Sequence, residues 1–166
     1  MKKIGCRKMR CAVCLLAILC LNSCVQGQAT SDSVLFMACN EKNDLFVTLT
    51  NNGIMVKRCS AIEQAIEQAS PGGGVLLLAD EYPKNTLTIS DDVFRLAAEK
   101  KLRLYVEYPS SLPGLTIEKP RRVDRERVVA ASDVFGKMLP QYRILAIHDC
   151  HFVTAQAPSA DLVAAK

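Results

Sequence analysis

The chain has no Cys-x-x-Cys pair in its body, no glycine-rich phosphate loop after its first apolar run, no internal repeat and no apolar stretch long enough to span a bilayer. Each absence excludes a class. Five of the eight cysteines (Cys6, Cys11, Cys14, Cys20, Cys24) fall in the first 24 residues, leaving Cys39, Cys59 and Cys150, an odd number that leaves at least one thiol unpaired and argues against a disulfide framework. These three read as small apolar residues packed near strand ends. Without a phosphate loop, nucleotide binding has no support and no cofactor is implied. The run Cys11 to Leu21 (CAVCLLAILCL) is 11 residues long, well short of the ~20 a spanning helix needs.

An excess of basic residues is also missing once the chain is divided. The first 23 residues hold five Lys and Arg and no acid, so 16 basic residues face 17 acidic ones beyond them and the net charge falls from +4 to −1. A nucleic-acid partner would need a basic field on the folded domain, and none is expected.

What is present begins with an address. Lys2, Lys3, Arg7, Lys8 and Arg10 precede the apolar run, and small polar residues follow it, which is the layout of a secretory signal over residues 1–23. The segment Leu21-Asn22-Ser23-Cys24 resembles the lipobox of bacterial lipoproteins. That resemblance implies an exported protein of the cell envelope, held to a membrane by a lipid on Cys24 with nothing spanning it. Residues 24–33 read as a tether, and residues 34–166 as one domain.

Val34 to Cys39 (VLFMAC) and Val75 to Ala79 (VLLLA) are continuous apolar runs, as expected of strands covered on both faces. Asp44 to Asn52 is read as a helix, with Asn52-Gly53 able to serve either as a hairpin turn or as a helix stop. Ile54 to Lys57 is a brief strand. Ser60-Ala61-Ile62-Glu63 has the capping-box form and opens a helix ended by Pro71-Gly72-Gly73-Gly74. Ser90 caps another, with acids in its first turn and lysines in its last. Leu102 to Val106 is a strand, Arg125 to Lys137 a helix, and Ile144 to Ile147 the last strand. Alternating strands and helices predict an α/β fold of three αβα layers around a mainly parallel sheet. The phrase AIEQAIEQASPGGGVLLLADEYPKNTLTI also resembles the opening of a right-handed parallel β-helix, and that alternative stays open.

In an open parallel sheet, ligands gather outside the carboxyl ends of the strands. The residues placed there are Asn40, then Asp80, Glu81 and Tyr82, then Glu107 and Tyr108, then His148, Asp149, Cys150 and His151. Ligand binding is assigned to Asp80, Glu81, Tyr82, Glu107, His148 and Asp149. For catalysis, Glu81 and Glu107 are candidates as paired carboxylates, with His148 beside them. The His-Asp-Cys-His stretch suggests a metal at first sight. Strand alternation, however, would put His148 and Cys150 on one face and Asp149 and His151 on the other, so no metal is assigned.

The phrases GGGVLLLADEYP, LYVEYPSSLPG and RILAIHDCHFV resemble the amino-terminal domain of exported bacterial proteins whose longer members carry a glycosidase-like region, within the class I glutamine-amidotransferase-like superfamily. The resemblance covers residues 34 to about 157 and implies a flavodoxin-like fold. Active amidotransferases place a cysteine in a Gly-x-Cys-x-Gly turn after a strand, whereas the turns here read LADEYP and VEYPSS. The resemblance therefore implies a non-catalytic domain that supports a carbohydrate-processing protein or binds its ligand, with a downstream glycosidase-like region as partner. A hydrolase acting on glycans through strand-end carboxylates is the alternative. Ser159 to Lys166 reads as the start of a capped helix, so the domain is expected to run on.

Overall fold

The computed structural model describes residues 34–165; the expected signal, the expected lipidation site Cys24 and the expected tether lie outside the described residues. Four short strands, β1 (Leu35–Ala38), β2 (Val56–Cys59), β3 (Gly74–Leu77) and β4 (Arg103–Val106), form one sheet in the order β2-β1-β3-β4. All its pairings are parallel. Between the strands run α1 (Asp44–Asn51), α2 (Ile62–Gln68) and α3 (Asp91–Glu99). Over residues 35–106 this is the α/β arrangement expected from alternating apolar runs and helices.

Strand periodicity divides the core between two faces. Phe36, Ala38, Cys59, Val75 and Leu77 pack on one side with Ala65 and Ile66 of α2 and Val93 and Ala97 of α3. Met37, Cys39 and Leu78 pack on the other, against Phe46 and Leu49 of α1. Each large side chain fully buried here contributes roughly 1.5–3 kcal/mol. Both faces must be covered for runs such as LFMA and GVLL to be apolar at every position.

The helix ends follow from local hydrogen bonding. Asn43 caps α1, its side chain accepting from the amides of Leu45 and Phe46. At the other end, the Gly53 amide donates to Thr50 and that of Ile54 to Leu49, a Schellman motif with Gly53 at φ 76°. Asn52-Gly53 is thus a helix stop. Helix α3 ends the same way, with Lys101 donating to Ala98 and Leu102 to Ala97. Here Lys101 occupies the left-handed position, at φ 53°.

Two capping expectations are corrected. Helix α2 begins at Ile62 with Ala61 as its cap and no side-chain capping bond, so Ser60 does not cap it. The lysines assigned to the last turn of α3 lie just past it, and Lys100 Nζ donates instead to the carbonyls of Ile66 (2.8 Å) and Glu67 (2.7 Å). It caps the end of α2, where carbonyls lack helical partners.

After β4 the chain changes character, and three expectations fail. Residues 125–137, read as a helix, belong mostly to strand β6 (Arg121–Ala130), followed by a 3-10 turn at Gly136–Met138. The strand read over Ile144 to Ile147 is β7 (Ile144–Phe152), which pairs antiparallel with β6 and is not part of the parallel sheet. The helix expected from Ser159 is strand β9 (Leu162–Ala165), also antiparallel to β6. The three-stranded order is β7-β6-β9, and a two-stranded ribbon joins β5 (Thr116–Ile117) to β8 (Ala155–Gln156). The β-helix alternative is overturned as well, because helices separate every pair of successive parallel strands.

Candidate functional site

A cleft of about 560 Å³ opens at the carboxyl ends of β1, β3 and β4. Its walls are Asn40, Lys42, Asn43 and Asp44 from the turn into α1, Ala79, Asp80 and Tyr82 from the loop after β3, and Glu107 after β4. The loops are tied by their own acids. Asp80 Oδ2 accepts the Asn40 amide at 2.6 Å and its Oδ1 accepts from Asn43 Nδ2 at 3.3 Å, binding the loop after β3 to the start of α1. Glu107 Oε2 accepts the Ala79 amide at 2.9 Å, binding β4 to the same loop. A carboxylate offers about four acceptor sites, so both acids retain capacity toward a ligand.

The amino end of α1 points at this cleft and is capped by its own side chains. Asn43 accepts from two of its amides, and the Leu45 amide also donates to Asp44 Oδ1 at 2.8 Å. With Asp44, Asp80 and Glu107 against Lys42, the cleft is acidic. A phosphate or sulfate would meet a helix terminus already capped and a repelling wall.

Beside the cleft, and sharing Tyr82 with it, lies a hollow of about 310 Å³ whose walls include Tyr105, Tyr108, His151 and Phe152. The rings of Tyr82 and Tyr108 meet edge to face, with centroids 5.1 Å apart. The Tyr82 hydroxyl accepts the His151 amide at 2.8 Å and donates to the His151 carbonyl at 3.1 Å. Burial pushes the Tyr108 phenol up, helped by Tyr82; burial and then the charge of Glu107 do the same to Tyr105. Both hydroxyls therefore stay protonated donors at neutral pH.

Of the residues singled out in the sequence, Asp80, Tyr82 and Glu107 share the cleft, and Asn40 joins them. Glu81 does not line it; its carboxylate accepts from Asn85 within the same loop. His148 and Asp149 do not line it either, because β7 is outside the parallel sheet. His148 is exposed opposite Arg125. Asp149 accepts from Arg122 Nη2 at 2.7 Å, and this pairing holds the guanidinium charge more firmly than usual.

The alternation assumed for His-Asp-Cys-His fails at its centre. Asp149 sits at φ 47°, and the ladder is interrupted between the pairs Val123–Cys150 and Arg125–His148, where Asp124 and Asp149 oppose one another. Arg122 lies near both carboxylates, 3.6 Å from Asp124. Among the described residues, no three His, Cys, Asp or Glu side chains converge as a metal site. Cys150 is half-buried.

Sequence reasoning missed Lys42, Asn43 and Asp44, and it missed the aromatic hollow. Glu-Tyr-Pro occurs twice, at residues 81–83 and 107–109, each time past the end of a parallel strand. That repetition was the available signal, since it brings Tyr82 and Tyr108 together. Compared with protein families, curated proteins and solved structures, the chain matches none.

Proposed function

We propose that this is a lipid-anchored, extracytoplasmic domain of the flavodoxin and amidotransferase-like type, which binds a neutral carbohydrate as the non-catalytic front part of a carbohydrate-processing protein. The observation that carries the reading is the cleft between the ends of β1 and β3. The parallel order β2-β1-β3-β4 coincides with the first four strands of the flavodoxin-like order 2-1-3-4-5, whose ligand site lies where successive connections leave β1 and β3 in opposite directions. Asn40 and Asp80 face each other across that point.

The chemistry of the walls supports the ligand class. Carboxylate and amide groups offer acceptors to hydroxyl hydrogens, while the capped helix and the acids disfavour an anion. The cysteines support a non-catalytic role: Cys39, at the end of β1, is buried and its thiol is pushed up to about 11, chiefly by burial and then by Asp80. An amidotransferase nucleophile needs the opposite shift.

Calorimetric titration of the purified protein with neutral and polyanionic oligosaccharides tests this. A neutral glycan that binds, and binds more weakly after Glu107→Gln, is expected; failure of every neutral glycan sinks the reading. Asp80 and Glu107 sharing one cleft favours, as second reading, a hydrolase. Release of reducing ends that Glu107→Gln abolishes would install it in place of the first. For the anchor, metabolic incorporation of a fatty acid that survives Cys24→Ala would remove the lipid.

A further inference from the structure

Three of the chain's four tyrosines, Tyr82, Tyr105 and Tyr108, converge with Phe152 and His151 on one hollow. Such a concentration, in a domain without tryptophan, calls for an explanation beyond core packing. Tyr105 is 52% exposed and Tyr82 41%, so their rings are offered to solvent and not used to fill the interior.

The rings are held from behind. Tyr82 is fixed by its two hydrogen bonds to the His151 backbone and by the edge of Tyr108. Phe152 is covered by the Arg121 guanidinium, 4.5 Å from its centroid. Aromatic walls fixed before binding lose little freedom when a ligand arrives. At about 310 Å³ the hollow stands at the small end of ligand sites, room for about one six-membered ring.

Its position relates it to the cleft. Tyr82 belongs to both cavities. On β4 and just past it, Tyr105 and Glu107 are two residues apart and so project to the same side, one lining the hollow and the other the cleft. A pyranose has an apolar C–H face, slightly positive, that suits the negative face of an aromatic ring, and a rim of hydroxyls that suits carboxylates and amides. The two cavities side by side present these two complements in order.

We infer that the aromatic hollow is a stacking subsite for a pyranose ring adjoining the polar cleft, so that the ligand is an oligosaccharide of at least two rings passing over Tyr82. This rests on the cleft binding a carbohydrate, and it adds chain length and a stacking platform to that reading.

The test uses the full chain with neutral tetrasaccharides of β-linked glucose, N-acetylglucosamine, xylose and mannose as probes, measured by calorimetry and by tyrosine difference absorption. Because three of four tyrosines line the hollow and no tryptophan masks them, occupancy is expected to perturb the tyrosine spectrum. Tyr105→Ala should weaken the tetrasaccharide that binds by about three- to tenfold, and Tyr105→Phe should restore its affinity. Unchanged unfolding midpoints would show that the exposed Tyr105 was not removed at the expense of the fold. If a tetrasaccharide binds and weakens with Glu107→Gln but is indifferent to Tyr105→Ala, the stacking subsite is overturned and the cleft reading stands. If no tetrasaccharide binds, both fall.

Discussion

Tyr82, in the loop after β3, closes a two-way hydrogen bond on the backbone of His151 in β7, accepting its amide at 2.8 Å and donating to its carbonyl at 3.1 Å. Residues 69 positions apart are thereby linked through one phenol oxygen. Tyr82→Phe keeps the ring and removes both bonds. A loss of about 1–2 kcal/mol is expected in urea unfolding, with faster hydrogen exchange at the His151 amide. Unchanged exchange there would show that the bond carries no stability.

Lys101→Gly should stabilise the protein. A side chain in the left-handed region costs roughly 1–2 kcal/mol, which glycine escapes, although part of that gain is offset by the freer unfolded chain. Gly53 already occupies the equivalent place after α1. A rise in the denaturation midpoint of a few degrees is expected; a fall would mean that Lys101 makes a contact worth more than its strain.

Asn43→Ala removes the cap of α1 and one of the ties to Asp80. The cost should be about 1 kcal/mol. In a double-mutant cycle with Asp80→Ala, the two losses should sum to more than the combined loss, since they share a bond. Strict additivity would show that the cap and the tie act separately.

The thiols give a pH prediction. Burial raises Cys39 to about 11 from an ordinary 9.0, and it also raises Cys59. A group whose folded pKa lies above its unfolded one stabilises fully below the unfolded value, and loses that contribution as pH climbs through the folded one. Stability should therefore decline between pH 9 and about 11, and Cys39→Ala should flatten the decline. At pH 8, peptide mapping after brief alkylation should find Cys150 modified well ahead of Cys39 and Cys59, which are buried.

The parallel half of the fold was legible chiefly through β1 and β3, which are short and apolar at every position. VLFMAC and VLLLA announce burial on both faces, while Asn52-Gly53 fitted a hairpin turn as well as the helix end it forms. The antiparallel half was hidden by a break in its own periodicity. Along β6 the sheltered positions are 121 and 123, then 126 and 128 to 130, so the phase shifts between 123 and 126. A strand whose alternation changes phase looks like neither a strand nor its opposite, and its Arg, Glu and Ala content fits a helix as well. His148 and Asp149 were misplaced because the strand that carries them was taken into the parallel sheet, whereas it pairs antiparallel with β6. For the cleft, strand ends were enough to find Asp80, Tyr82 and Glu107, but the polar turn into α1 carries no periodic signal, so Lys42, Asn43 and Asp44 had none to offer.

The interruption at Asp149 has a further consequence for how copies of this chain behave in a crowd. Strand β7 is the edge of its sheet, nine residues long, and an edge of that length is a template for self-association. Its later half is protected: Asp149 bends the backbone and pairs with Arg122, and Tyr82 occupies the groups of His151 that would otherwise recruit a neighbour. The earlier half, Ile144 to Ile147, keeps exposed apolar side chains at Ile144 and Leu145 and has no such guard. Among the described residues, this stretch and β9, the opposite edge of the same sheet with exposed Leu162 and Val163, are the places in that sheet where copies could pair, and Leu145→Lys should weaken pairing through the first.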